Sequence, residues 1–208
     1  RVLVTGGAGF IGSHVVELLL EIGGYEVLAL DKLTYAGSAR NLEHLKDHPH
    51  FQFARGDICD AQTVNWIFQD FRPDAVLNLA AESHVDRSID GPEPALETNI
   101  KGTAVLLEAN RHWLGQVSEG DKAQFRFLQV STDEVFGDLA PDASPFVRDT
   151  PYAPSSPYAA SKASADHLVR AWGRTYGIPV MISHCSNNYG PRQHPEKLIP
   201  HMIFRALD

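Results

Sequence analysis

No apolar run in this chain is long enough to cross a bilayer, which excludes a transmembrane helix. No run of lysines and arginines occurs either, and 26 acidic against 18 basic residues leave a formal charge of -8. Such an acidic chain is a poor partner for nucleic acid or an anionic membrane surface. Two cysteines, Cys59 and Cys185, are too few for the disulfide framework of a small secreted domain. Two buried, reduced thiols in a reducing cytoplasm are expected instead. Neither HExxH nor a Cys/His ligand spacing is present. His44, His48 and His50, grouped around Pro49, therefore read as solvated loop histidines, and no metal is expected. The first residue is Arg1 rather than Met, and the last stretch, Leu198 to Asp208, has an apolar helical pattern without a stop signal. Both ends look trimmed, so a piece of a longer chain is expected, and a leader peptide could have been removed from it.

What is present is enough for a globular core: 208 residues, of which 43% are hydrophobic. One domain, or one domain and part of a second, follows from that length. Strand and helix signals alternate. Short apolar runs at Val2–Thr5, Tyr25–Leu30, Phe51–Ala54, Ala75–Ala80, Phe125–Ser131 and Pro179–Ser183 read as six strands. Between them, helical periodicity covers Ser13–Ile22, Ala61–Phe71, Pro94–Trp113 and Pro157–Tyr176. Trp66, Trp113 and Trp172 fall in these stretches and are expected to pack rather than to bind a ligand. Gly137 to Ser156, punctuated by Pro141, Pro145, Pro151 and Pro154, is too long for a simple connection and reads as a functional loop. Alternation of this kind predicts parallel βαβ units in an α/β fold.

The first strand runs into Gly6-Gly7-Ala8-Gly9-Phe10-Ile11-Gly12 and then a helix. Gly6, Gly9 and Gly12 permit a tight turn, close approach of backbone to a pyrophosphate, and close packing of helix on strand. The helix N-terminus then offers free N–H groups to the anion. Asp31 closes the second strand, nineteen residues after Gly12. A carboxylate there accepts from a ribose 2′-OH and repels a 2′-phosphate, so NAD is expected rather than NADP. A Rossmann-type doubly wound parallel sheet follows. Downstream, Tyr158 and Lys162 stand at i and i+4 on one helix face, behind Ser156 as N-cap and Pro157 as first helical residue. A nearby ammonium and the helix N-terminus both favour a phenolate, which makes Tyr158 a candidate base. Taken alone, this spacing also fits a surface pair on an amphipathic helix. Thr132, Asp133 and Glu134 follow the fifth strand at its carboxyl end, where ligands lie in open α/β sheets. Two neighbouring carboxyls there can divide acid and base work, and Thr132 can donate to a reacting hydroxyl.

These motifs resemble the extended branch of the short-chain dehydrogenase/reductase superfamily, and within it the nucleotide-sugar 4,6-dehydratases. The likeness is carried by GGAGFIGSH (Gly6 to His14), DKLTYAG (Asp31 to Gly37), AAESHVDRSI (Ala80 to Ile89), STDEVFG (Ser131 to Gly137), the Tyr158–Lys162 pair, and CSNNYGPRQHPEKLIP (Cys185 to Pro200). It implies catalytic Thr132, Asp133, Glu134, Tyr158 and Lys162. It implies NAD contacts from Phe10 and Ile11 along the pyrophosphate, from Asp31, Lys32, Leu33 and Thr34 at the adenosine ribose, and from Asp57 and Ile58 at the adenine. Ala80, Ala81, Ser83, Thr98 and Asn188, with Tyr158 and Lys162, complete the implied cofactor set. Ser83, Thr132, Asn187, Lys197 and Leu198 are implied to touch the sugar nucleotide. The implied substrate is a nucleoside diphosphate hexose, dTDP-glucose in the first place, with the base (thymine or uracil) left open. The implied product is a 4-keto-6-deoxy sugar, a precursor of deoxy sugars such as rhamnose. Residues 1–183 are expected to form the NAD-binding and catalytic domain and 184–208 the start of a smaller substrate-binding part. A homodimer through 94–113 and 157–176 is also implied. Phe136 and His184 depart from the usual tyrosine and the frequent arginine of that family, at positions outside the implied chemistry.

Two rival functions remain at this stage. A UDP-hexose 4-epimerase shares the fold, NAD and the Tyr/Lys pair, but has no use for an acid and base at C5 and C6. A non-catalytic NAD-binding sensor has no use for Tyr158 and Lys162.

Overall fold

The computed structural model describes residues 1–207. Six parallel strands form one sheet: β1 (Val2–Thr5), β2 (Val27–Asp31), β3 (Phe51–Arg55), β4 (Ala75–Asn78), β5 (Arg126–Thr132) and β6 (Val180–Cys185). Their order is β3-β2-β1-β4-β5-β6, the doubly wound arrangement, so the chain reverses direction across the sheet between β1 and β4. Register runs Val2↔Val27 on one side of β1 and Val2↔Ala75 on the other. β6 extends two residues beyond position 183 and pairs Thr132 with Cys185 at its tip.

Side chains along β1 and β2 alternate between two cores, as strand geometry requires. Leu3, Leu28 and Leu30 join Val76, Leu106, Leu107 and Phe127 on one face. Val2, Val4, Val27 and Ala29 join Val16 and Leu20 on the other. The first face is covered by α2 (Ala61–Asp70), α5 (Thr103–Leu114) and α7 (Pro157–Tyr176). The second is covered by α1 (Phe10–Ile22) and a 3-10 turn at Ala39–Leu45.

Local chemistry explains where the helices begin and end. Asp60 caps α2 by accepting from the N–H groups of Gln62 and Thr63. Ser156 caps α7 through the Ala159 N–H, Pro157 takes the first helical position, and Gly177 ends the helix in left-handed backbone. The expected 94–113 helix is present but not uniform. α4 (Glu93–Ala95) passes into a wider π-turn at Leu96–Gly102 before α5. Four short elements were not expected: α3 (Val85–Asp90), α6 (Glu119–Gln124) and the 3-10 turns at Ala39–Leu45 and Asp133–Phe136. α6 buries none of its residues, so no apolar stripe marks it. Gly137 to Ser156 is loop with scattered turns, as expected. The C-terminal apolar pattern forms α8 (Leu198–Leu207), and Asp208 lies outside the described residues.

Candidate active site

The cleft opens at the carboxyl ends of the strands, where β1 and β4 part. Its floor is the glycine loop. Gly6 sits at φ +67°, and a Cβ there would meet the Ala80 nitrogen at 2.7 Å. A Cβ on Gly12 would collide with the Gly6 carbonyl, so the start of α1 can sit this close only without a side chain. Gly9, the N-cap of α1, provides no side-chain cap, which leaves the first-turn N–H groups facing the cleft for a ligand. Asp31 holds this loop from β2: one carboxylate oxygen accepts the Ala8 N–H at 3.0 Å and the other the Leu33 N–H at 2.8 Å.

Most of the residues expected in the site line this one cleft. Gly6, Gly9, Phe10, Ile11, Gly12, Asp31, Lys32, Thr34, Asp57 and Ile58 form one half. Ala80, Ala81, Ser83, Thr98, Thr132, Glu134, Tyr158, Lys162, Asn187, Asn188 and Lys197 form the other. Three expected residues do not line it. Leu33 adopts φ 59° with its N–H turned onto Asp31, and its side chain packs against the core beneath. Asp133 begins the 3-10 turn and is not among the lining residues, but its carboxylate lies 3.4 Å from the Thr132 hydroxyl, which is. Leu198 opens α8 and is 75% exposed.

Lys32 crosses the cleft to donate to the Thr98 hydroxyl at 3.2 Å and lies 3.4 Å from Asp57. Asp57 also accepts the Cys59 N–H, and these partners outweigh its burial and hold it below the usual carboxylate range. Asn99, buried in the π-turn, brackets Glu82 through both its backbone N–H and C=O and donates to Ser161 on α7. Ser161 in turn donates to the Tyr158 carbonyl. The loop after β4 is thereby tied to the helix that carries Tyr158.

Tyr158 is 8% exposed. Burial, then the charge of Glu134, push its phenol well above its ordinary range, while a hydrogen bond with Thr132 works the other way. Glu134 is itself raised, by burial and then by Asp133, with Lys197 opposing. Lys162 is fully buried and lowered to about 8 by desolvation. Its ammonium donates to the Val130 carbonyl at 2.7 Å, so it is anchored on β5.

Sequence patterns did not signal the cover of this cleft. Residues 186–197 leave β6 and cross the glycine loop as a strap. His14 Nε2 meets the Pro191 carbonyl at 3.1 Å, and Arg192, at φ 70°, reaches Ser13 and pairs with Glu17 at 2.6 Å. On the far side, Glu196 lies 3.1 Å from Arg87 and 3.4 Å from His84, and Lys197 donates to the Ser83 carbonyl. The Arg87 guanidinium also stacks on Tyr35, 3.8 Å from the ring centre. Glu82, Gln193, His194 and Glu196 line the cleft without having been singled out in the sequence, and Cys185, expected only as a buried thiol, is half-buried in its wall. No periodicity or spacing marks them.

Residues 3–208 match the family model described as GDP-mannose 4,6 dehydratase. Over 207 residues the chain is 55% identical to a dTDP-glucose 4,6-dehydratase of Neisseria gonorrhoeae, covering all of this chain and 60% of that one. Against dTDP-glucose 4,6-dehydratase 1 of Escherichia coli K12 the identity is 54% over 216 residues, with 100% and 60% covered. The chain thus spans about 60% of the length of these curated relatives. The crystal structure of DesIV, a dTDP-glucose 4,6-dehydratase of Streptomyces venezuelae with NAD bound, superposes at TM-score 0.90 with 46% identity, over 100% of this chain and 62% of that one. A UDP-glucose 4-epimerase of Thermus thermophilus in complex with NAD superposes at 0.81 with 37% identity, over 94% and 58%.

Proposed function

This chain belongs to the GDP-mannose 4,6-dehydratase family, and from that premise we propose that it carries the NAD-binding and catalytic part of a dTDP-glucose 4,6-dehydratase, a hydro-lyase. The observation that supports it most is the convergence of Thr132 and Glu134 with Tyr158 and Lys162 in the cleft that the glycine loop floors. An epimerase needs the second pair but has no use for a base at C5.

The cleft suits NAD by its own construction. A Cβ would fill the space at Gly6 and Gly12, the α1 N-terminus is uncapped, and Asp31 presents a carboxylate beside the loop. Phe10 and Ile11 are assigned to the pyrophosphate, Asp31, Lys32 and Thr34 to the ribose, and Asp57 and Ile58 to the adenine. When bound, NAD supplies the hydride acceptor at C4 and the hydride donor at C6. The chain's own residues move the protons. Tyr158, once it has lost the phenolic proton that burial and Glu134 hold on it, takes the proton of the 4-OH, with Thr132 donating to the same region. The 4-keto group acidifies C5–H, and Glu134, which burial makes a stronger base than an ordinary exposed carboxylate, removes that proton. Asp133 protonates the departing 6-OH, water leaves, and Glu134 returns the proton to C5. Ser83, Asn187 and Lys197 are assigned to the sugar nucleotide.

The division at 183/184 into a catalytic domain and a substrate-binding part is kept in this reading. The reading places it in the cytoplasm, acting on deoxy-sugar precursors as a homodimer through 94–113 and 157–176; the two free thiols fit a reducing compartment.

The test is the full chain with dTDP-glucose and NAD in deuterated water, with products read by mass spectrometry. Loss of water with deuterium gained at C5 is expected. An unchanged composition with inverted C4 would replace this reading by the epimerase, and NAD binding without turnover of any nucleotide sugar by the sensor.

A further inference from the structure

Beneath the Tyr158–Lys162 pair lies a carboxylate that the chemistry above does not use. Asp166 is fully buried, one turn beyond Lys162 on α7. One of its oxygens gathers three groups: the Ser131 hydroxyl at 2.7 Å, the Tyr152 hydroxyl at 3.0 Å, and His184 Nε2 at 3.1 Å. The other oxygen has no hydrogen-bond partner among the described residues. An ionised carboxylate left half-satisfied in a core is costly unless a positive charge stands near it. The buried cation on the same helix is Lys162, and the two side chains grip consecutive residues of β5. Lys162 donates to the Val130 carbonyl, and Asp166 accepts from Ser131. The next residue is Thr132, which begins the Thr-Asp-Glu run.

We propose that Asp166 is the positioning residue of this site: its buried carboxylate keeps Lys162 an ammonium and clamps the end of β5, with Thr132 and Glu134, to the helix that carries Tyr158. The assignment rests on the C4-oxidation reading for its catalytic consequence, and for its effect on Lys162 on the i, i+4 placement of the two buried side chains on α7 and their grip on consecutive residues of β5. Burial pulls the Lys162 proton off, and the Asp166 charge is the largest influence opposing it. The other ionisable groups facing this pocket are few. Tyr152 comes from the proline-rich loop, with Arg170 3.1 Å from its hydroxyl and His167 against its ring. His184 and Cys185 come from β6, and Asp133 and Glu134 from the turn after β5. His184 is one of the two positions that depart from the family pattern. It stands 2.8 Å from Tyr152 as well as beside Asp166, so it shares a carboxylate whose charge Lys162 needs.

Competitive acetylation of the full chain with acetic anhydride, read peptide by peptide in the mass spectrometer, reports the pH at which Lys162 becomes nucleophilic and requires no substrate. Asp166→Asn keeps the shape and one acceptor oxygen and removes the charge. The Lys162 midpoint is expected to fall by about one pH unit, tenfold in free amine at a given pH below it. The alkaline limb of single-turnover NADH formation moves down by the same interval. A folded Asp166→Asn protein with an unmoved Lys162 midpoint overturns the proposal. Tyr152→Phe removes one donor and leaves the carboxylate charged, and it serves also if Asp166→Asn does not fold. Its midpoint is expected to stay or rise, and a fall would mean that packing rather than charge governs Lys162, which overturns the proposal too. Failure of the unsubstituted chain to form NADH would count against the C4-oxidation reading and leave the labelling result intact.

Discussion

Asp31 accepts the backbone N–H of Ala8 at 3.0 Å, so the acid that closes β2 also holds the glycine loop in place. One carboxylate thereby shapes the glycine loop and is also the group proposed to meet the ribose. Asp31→Asn keeps an acceptor oxygen and loses the charge that repels a 2′-phosphate. NAD affinity is expected to fall about tenfold, and the preference over NADP to shrink, in an equilibrium titration with both cofactors. Equal loss for both would show that Asp31 acts on the loop alone.

Gly12 offers a steric counterpart. Gly12→Ala places a methyl against the Gly6 carbonyl, and nothing in that backbone contact can swing aside. NAD binding is expected to be lost, with a lowered melting temperature. Gly23→Ala is the control: its φ is +78° but its surroundings are open. It should cost about 1 kcal/mol of stability and leave NAD affinity unchanged.

Tyr158→Phe removes the proposed base from a site that stays packed around the ring. NADH formation in a single turnover is expected to drop by about 10²–10⁴-fold. NAD affinity and melting temperature should stay close to those of the parent. Unchanged NADH formation would end the assignment of Tyr158.

Glu134→Gln separates two steps. Exchange of the C5 proton with solvent should slow by about 10²–10⁴-fold, far more than C4 oxidation. A second effect has a definite sign. The Glu134 charge helps hold the Tyr158 phenol up, so its removal lowers that pKa. The rising limb of NADH formation with pH should therefore move to lower pH in the variant. Equal losses in both steps, with the limb unmoved, would remove Glu134 from the C5 chemistry.

Arg192→Ala cuts the pair with Glu17 that fastens the strap over the glycine loop. Dissociation of NAD, followed by chase with excess labelled cofactor, is expected to speed up by about tenfold or more. An unaltered rate would mean that the strap does not retain the cofactor.

Much of the fold was legible because its signals are local. β1 matched residue for residue, and α7 is bounded by Ser156, Pro157 and Gly177, each with a conformational reason to stand there. The strand ends moved by a few residues where tertiary contacts decide. β4 stops at Asn78 because the Leu79 and Ala80 N–H groups turn onto Thr5. The glycine loop could be placed from its spacing and context, whereas Tyr158, Lys162 and Glu134 needed that loop upstream and the family resemblance beside it. Asp166, Asn99 and Glu196 could not be placed, because each acts on residues far away in sequence. Asn99 meets Ser161 and Glu196 meets Arg87, pairs separated by 62 and 109 positions, and no periodicity encodes such contacts. Tyr158 also shows the limit of arguing from a helix end. The sequence favours a phenolate, whereas burial and Glu134 hold the proton on, and Lys162 is turned to Val130.

The strap lies C-terminal to all six strands. The cover is therefore held over the glycine loop by side-chain pairs rather than by sheet hydrogen bonds. Opening the cleft asks for the Arg192–Glu17 and Arg87–Glu196 pairs to part, and for no strand to leave the sheet. Exchange of a bound cofactor is thus separable from unfolding.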